Sequence, residues 1–154
     1  MKDNYGYIRV AAAMPRVHVA DPQGNCEEMA ALATSISGNG TSVIAFPELS
    51  ITGYTCADLF GQRKLLDDAQ SSTEELLSRT AALDPVLVFG APVEFRGRLF
   101  NCAVVARRGR ILGIVPKTYL AGNCEFYEPR WFESARVLEG KCAEISYAGQ
   151  TGIR

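Results

Sequence analysis

Two positions in this chain share a local grammar that could carry chemistry: an apolar strand-like run, then proline, then a charge. In SVIAFPEL the run delivers Glu48, and in ILGIVPKTYL it delivers Lys117. In α/β sheets, side chains at the carboxyl ends of strands face the crevice where ligands bind. A glutamate and a lysine brought together there pair ionically and shift each other's pKa. Such a carboxylate can act as general base, and such an ammonium can stabilise a developing oxyanion. Taken singly, each charge is also what an ordinary strand end looks like where the chain meets water. The repetition of the pattern is what singles the two residues out.

The elements that must position them follow from periodicity and punctuation. Tyr7 to Met14 (YIRVAAAM) is short, apolar and closed by Pro15, which predicts a buried strand. Asp21-Pro22 is a helix cap followed by proline at the first helical position, and Cys26, Met29, Ala30, Leu32, Ala33 and Ile36 recur at helical spacing. Gly38 and Gly40 stop that helix, and Ser42 to Phe46 is a second buried strand. Strand, helix and strand make a βαβ unit. Glu48 to Cys56 reads as a loop, and Ala57 to Ala82 as helix interrupted near Ala69 to Ser72, where Ser72 or Thr73 with Glu75 resembles a cap. Val86 to Ala91 is a third buried strand. A hairpin turning at Arg96-Gly97-Arg98 follows, then a second turn at Arg107-Arg108-Gly109-Arg110 leads to Ile111–Val115. After Lys117 the chain becomes irregular and aromatic. The expected fold class is α/β, a single domain whose sheet mixes parallel crossovers with antiparallel hairpins.

Composition excludes several classes of function. With 154 residues, 47% hydrophobic and 21% charged, the chain is neither disordered nor membrane-spanning. A formal charge of −1 argues against a nucleic-acid or membrane-surface partner. The N-terminus has no apolar stretch of signal-peptide length. The five cysteines form no CxxC pair and His18 is the sole histidine, so neither a disulfide framework nor a metal site is expected. A reduced, cytoplasmic setting fits this usage.

FPELSITGY and VPKTYL resemble the glutamate and lysine motifs of the nitrilase, or carbon–nitrogen hydrolase, superfamily. Within it the chain is most similar to the amino-terminal glutaminase domains of glutamine-dependent NAD⁺ synthetases. YGYIRVAAAMPRVHVADPQGN, CADLFGQRKLLDDAQ and EFYEPRWF carry that likeness, which runs from about Tyr5 to about Gln150. The resemblance implies an α-β-β-α sandwich with a Glu-Lys-Cys triad: Glu48 as general base, Lys117 stabilising the oxyanion, and Glu125 orienting the lysine and the substrate. It also implies that Tyr54 and Asn123 lie at a glutamine pocket. It further implies that released ammonia amidates adenylylated nicotinic acid adenine dinucleotide at a separate synthetase domain using ATP and Mg²⁺. This domain itself is expected to need no cofactor, and the complete enzyme is expected to be a homo-oligomer.

The family's nucleophile lies in a string like E-I-C-E-D, which this chain does not contain. Cys26 and Cys102 read as small core residues, Cys56 falls in the loop after Glu48, and Cys142 lacks matching flanks. Cys124 sits one residue from Glu125 and seven from Lys117, but Asn123-Cys124 stands where the branch usually carries Tyr-Arg. Thiolate reactivity there would require the nearby cation to outweigh Glu125. The expectation is therefore that residues 1–154 form the amino-terminal portion of a glutaminase domain, inactive alone and exposing edge backbone and apolar sheet face. Two alternatives stay open. One is another carbon–nitrogen hydrolase, such as an amidase, carbamoylase or nitrilase. The other is a non-catalytic binding module that keeps the fold.

Overall fold

The computed structural model describes residues 6–140 and 142–154. Met1–Tyr5, where the sequence shows no apolar leader and the resemblance begins, and Lys141 lie outside the described residues. The chain runs β1 (Val10–Ala12), α1 (Pro22–Ser37), β2 (Val43–Ala45), a short helical segment (Tyr54–Gly61), α2 (Arg63–Arg79), β3 (Val86–Phe95), β4 (Arg98–Arg107) and β5 (Arg110–Pro116). Two single-turn helices (Glu128–Arg130 and Ala135–Leu138) and a hairpin, β6 (Ile145–Tyr147) with β7 (Gln150–Ile153), complete it. β1 to β5 form one sheet in sequence order, parallel across β1-β2-β3 and antiparallel across β3-β4-β5. The expected mixed α/β sheet is therefore what forms.

Local rules account for most boundaries. The Asp21 carboxylate accepts a hydrogen bond from the Gly24 amide at 3.0 Å, and Pro22 occupies the first turn, so α1 starts where the cap signal placed it. Cys26, Met29, Ala30 and Ala33 form its buried stripe. Each hairpin turn takes two consecutive residues at positive φ: Arg96-Gly97, Arg108-Gly109 and Ala148-Gly149. Such turns match the right-handed twist of the flanking strands.

Three expectations need correction. α2 runs unbroken through Ala69–Ser72; the interruption falls earlier, at Gly61-Gln62. The Thr73 hydroxyl donates back to the Ala69 carbonyl at 2.7 Å, so it is satisfied inside the helix and does not cap one. β1 is an edge strand with Val10 63% exposed and is not buried; only Ala13, just beyond it, reaches the core. Cys142, in a stretch whose sequence reads as strand-like, precedes β6 and lies outside any strand.

Strand alternation divides the sheet into two faces. Leu87, Phe89, Ala91 and Val93 of β3 pair with Ala106, Val104, Cys102 and Phe100 of β4, and all are buried in one core with Met29, Ala33, Leu76 and Leu77 of the helices. The other face carries Val88, Gly90 and Pro92 opposite Val105, Ala103 and Asn101. It is the face on which Glu48 and Lys117 meet.

Candidate active site

β2 ends at Ala45, Phe46 donates to the Val88 carbonyl at 2.8 Å, and after Pro47 the chain folds tightly over β3. Glu48 and Leu49 pass directly above Gly90. A Cβ built on Gly90 would lie 2.0 Å from the Leu49 nitrogen and 2.8 Å from the Glu48 Cα. Only glycine permits this approach. The loop is then tied down: the Ile51 amide donates to the Gly90 carbonyl at 3.1 Å, and the Gly90 amide to Ser50 Oγ at 3.3 Å. Leu49 takes a positive φ of 49° and is buried. Asn25, fully buried on α1, fastens the same loop from the other side. Its Oδ1 accepts from the His18 amide, and its Nδ2 donates to the His18 and Ile51 carbonyls at 2.7 and 3.0 Å. The His18 imidazole itself is exposed and takes no part in the site.

Lys117 emerges one step beyond β5. Its amide donates to the Asn101 carbonyl at 2.8 Å, which places it opposite Asn101 on the Glu48 face. Its ammonium lies between two carboxylates, 2.7 Å from Glu48 Oε1 and 2.9 Å from Glu128 Oε1. The buried Asn101 side chain donates a short hydrogen bond to the same Glu48 oxygen. Among the described residues Glu48 Oε1 takes both of these hydrogen bonds and Oε2 takes none, and Glu48 lines the cleft described below.

The second carboxylate corrects the sequence reading. Glu125 is exposed and forms no contact with Lys117; Glu128, three residues later, does. The reason is local. Cys124 has a positive φ of 57°, and the chain between Ala121 and Glu128 closes on itself: the Glu128 amide donates to the Ala121 carbonyl at 3.0 Å, and the Ala121 amide returns to Glu128 Oε2 at 2.8 Å. The turn Glu128–Arg130, with Pro129 as its second residue, follows; Glu128 at its start is buried while Glu125 stays exposed. Glu128 also accepts from the Tyr54 hydroxyl at 2.9 Å, and the Tyr54 ring meets Phe126 edge-on at 6.1 Å. Tyr54 thus joins the Lys117 cluster through its oxygen. Asn123 lies exposed in the same closed loop, its carbonyl accepting from the Phe126 amide at 3.1 Å.

Burial and pairing pull against each other in this cluster, and pairing wins. Partial burial of Lys117 pushes its pKa down, but hydrogen bonds from the ammonium to Glu48 and Glu128 hold it above the ordinary lysine value. Burial of Glu128 pushes its carboxyl up. Hydrogen bonds from Lys117, the Ala121 amide and Tyr54 outweigh that and hold it below the usual range. Burial and the adjacent Glu128 carboxylate raise the Tyr54 phenol well above its ordinary value. At neutral pH the ammonium is therefore charged, fixed and balanced by two carboxylates.

The Glu48–Lys117 pair opens onto a cleft of about 540 Å³ walled by Phe46, Val88, Phe89, Cys102, Val115 and Tyr119. None of the cysteine thiols hydrogen-bonds to the cluster among the described residues. Cys26, Cys56 and Cys102 are buried, and burial pushes the Cys102 thiol up to about 12. Cys56 donates to the Thr52 and Gly53 carbonyls, and Cys124 and Cys142 are exposed. Among the described residues no group of three or more His, Cys, Asp or Glu side chains could hold a metal ion, and no helix is long and apolar enough to cross a membrane.

Comparison with known proteins shows what the chain is similar to. The family model of carbon–nitrogen hydrolases matches residues 9–152. Glutamine-dependent NAD⁺ synthetase of Mycobacterium tuberculosis is 40% identical over 126 residues, covering 82% of this chain and 19% of that protein. The enzyme of the same name from Aquifex aeolicus is 32% identical over 144 residues, 92% of this chain and 25% of its own length. The chain thus spans about a fifth to a quarter of these curated relatives. The solved glutamine-dependent NAD⁺ synthetase from Cytophaga hutchinsonii superposes with a TM-score of 0.77 at 27% identity, over 82% of this chain and 22% of that one. An amidase from Nesterenkonia shares the fold with a TM-score of 0.68 at 23% identity, over 94% of this chain and 53% of that one.

Proposed function

This chain belongs to the carbon–nitrogen hydrolase family, and from that premise we propose that it carries the acid–base half of a glutaminase site. In this reading the site serves a glutamine-dependent NAD⁺ synthetase. The observation that carries the proposal is the Lys117 ammonium held between Glu48 and Glu128 at the mouth of an open cleft. Glu48 Oε2, the oxygen left free, takes the proton from an attacking thiol. Lys117 stays charged and neutralises the oxyanion that forms when the thiol adds to the γ-amide carbon of glutamine. Collapse of that intermediate expels ammonia, the proton on Glu48 passes to the leaving nitrogen, and water then cleaves the thioester. Glu128 does not need to react; it fixes the ammonium. Identities of 40% and 32% to glutamine-dependent NAD⁺ synthetases favour glutamine over other amides. In the complete reaction the ammonia would amidate a nicotinic acid dinucleotide, with ATP and Mg²⁺ used at a synthetase domain.

Glutamine-dependent ammonia release by the native gene product tests the proposal. Glu48→Gln is expected to lower it by roughly 10²- to 10⁴-fold, the usual worth of a positioned general base. Unchanged release in E48Q would overturn the assignment. Residues 1–154 alone are expected to release no ammonia, because none of the described thiols is both ionisable and seated at Glu48.

A further inference from the structure

Glu128 is aimed at Lys117 by a turn only three residues long, and what fixes that turn lies outside the cleft. Two and three residues beyond Glu128, Arg130 and Trp131 both reach across to one side chain, Asp58. Arg130 Nε and Nη2 donate to Oδ1 and Oδ2 of Asp58 at 2.7 and 3.1 Å, and the Trp131 indole Nε1 donates to Oδ1 at 2.8 Å. Asp58 sits four residues after Tyr54 in the segment Tyr54–Gly61. That segment and the Glu128 turn are therefore joined at two points: Tyr54 to Glu128 inside the site, and Asp58 to Arg130 and Trp131 at its outer end. Between these points Phe60 packs on Phe132 and Trp131, with ring centroids 4.8 and 6.2 Å apart.

We propose that Asp58 is a positioning residue: by gripping Arg130 and Trp131 it sets the turn that aims Glu128 at Lys117. A second feature supports this. Ala57, immediately before Asp58, is held at φ 51° and ψ −132° at a kink between two helical pieces. L-residues with a Cβ avoid this region, and such conformations persist only where the surroundings over-determine them. Asp58 is the first residue after this kink. The hydrogen bonds from Arg130 and Trp131 hold the Asp58 carboxyl at about 2, so the grip is charged throughout any working pH. Surface ion pairs contribute little to stability. This one is a planar, bidentate fork with an added indole bond, and its worth is in geometry.

The functional consequence rests on the proposed role of Lys117, but the test does not require turnover. Trp131 is the sole tryptophan, so its Nε1 proton gives a single indole NMR signal, and the Lys117 ammonium can be titrated by the same method. In Asp58→Asn the indole proton should exchange faster. The Lys117 titration should move down toward the ordinary lysine value, in the direction Glu128→Gln moves it, while the melting temperature changes little. Arg130→Met breaks the grip from the other side and should reproduce the effect if D58N fails to fold. The inference is overturned if the indole proton responds while Lys117 does not, provided E128Q still shifts it. An unaltered indole proton in D58N overturns it equally. In the native gene product D58N should lower kcat on the order of tenfold with KM held, because small misplacements are costly. A shifted Lys117 in a protein without glutaminase activity would sink the proposed function and leave the positioning role standing.

Discussion

Gly90→Ala is the substitution whose outcome the structure fixes most tightly. The added methyl would sit 2.0 Å from the Leu49 nitrogen, 2.7 Å from the Glu48 carbonyl carbon and 2.8 Å from the Glu48 Cα. All three neighbours are backbone, so no side chain can swing aside. Restoring an ordinary contact of 3.4 Å needs about 1.4 Å of movement between β3 and the Glu48 loop. β3 cannot supply it, being hydrogen-bonded to β2 and β4 on either side. The loop must lift, which stretches the Ile51–Gly90 and Gly90–Ser50 bonds and draws Glu48 away from Lys117. A 2.7 Å ion pair displaced by that amount is no longer a hydrogen bond. Overpacking of this kind costs about 1–3 kcal/mol, or roughly 2–4 °C of melting temperature per kcal/mol at this chain length. Calorimetry reads the first effect. In the native gene product, glutamine-dependent ammonia release, if the site is the glutaminase proposed above, should fall by about 10²-fold per ångström of misplacement and reads the second. Gly38→Ala is the control: its φ is −65° and nothing lies within 4 Å of the new methyl, so it should leave both unchanged or raise stability slightly. A G90A protein as stable and as active as G38A would refute the reasoning that the Glu48 loop rests on bare backbone.

The Lys117–Glu128 pair stabilises only where both groups are charged. The Glu128 pKa is depressed from 4.5, so its contribution is complete above that value and is lost as pH falls through the lower folded value. The Lys117 pKa is raised from 10.5, so its contribution is complete below that value and is lost as pH rises through the higher folded one. The gap in denaturation midpoint between wild type and E128Q should therefore be level between about pH 5 and 10 and narrow outside that window; a gap undiminished at pH 3 would contradict it. Thiol labelling followed by mass spectrometry should modify Cys124 and Cys142 in the native chain. It should spare Cys26, Cys56 and Cys102 until denaturant is added, since burial also pushes the first and last of these up to about 12. Early labelling of Cys102 would mean that the sheet face behind the cleft is open.

Legibility tracked how local each signal is. Asp21-Pro22 and the arginine-glycine turns act within four residues, and the chain obeys them. The strand-Pro-charge pattern was enough to bring Glu48 and Lys117 together because strand direction and register fix where a strand end points. The helix break was misplaced since Ser72 and Thr73 look like caps by residue type. Only the three-dimensional helix shows their hydroxyls engaged or buried within it, while Gly61 is the plainer breaker. Asn101 was invisible as a site residue within NCAVVA, where it reads as one polar position in a hairpin strand. Its lone polarity opposite Pro92 was the available hint. Glu125 and Glu128 differ only by three positions in an aperiodic stretch. Pro129 marks a helical turn that begins at Glu128, but residue types alone do not say which of the two carboxylates faces inward.

That displacement from Glu125 to Glu128 matters for what each carboxylate can do. A carboxylate that fixes a cation must have every acceptor site occupied and must never protonate at working pH. Glu128, with its side chain 2% exposed, meets this with Lys117 and Tyr54 on one oxygen and the Ala121 amide on the other. A carboxylate that moves protons needs the reverse: one oxygen anchored, one free, and water or substrate within reach. Glu48, 43% exposed, has Lys117 and Asn101 on Oε1 and no hydrogen bond on Oε2 among the described residues. An exposed residue such as Glu125 could do neither, because a side chain free to rotate gives no fixed field at the ammonium and loses rotamer entropy each time it pairs. The two proposed roles follow from burial and from where the chain supplies donors, and one lysine pairs with both carboxylates.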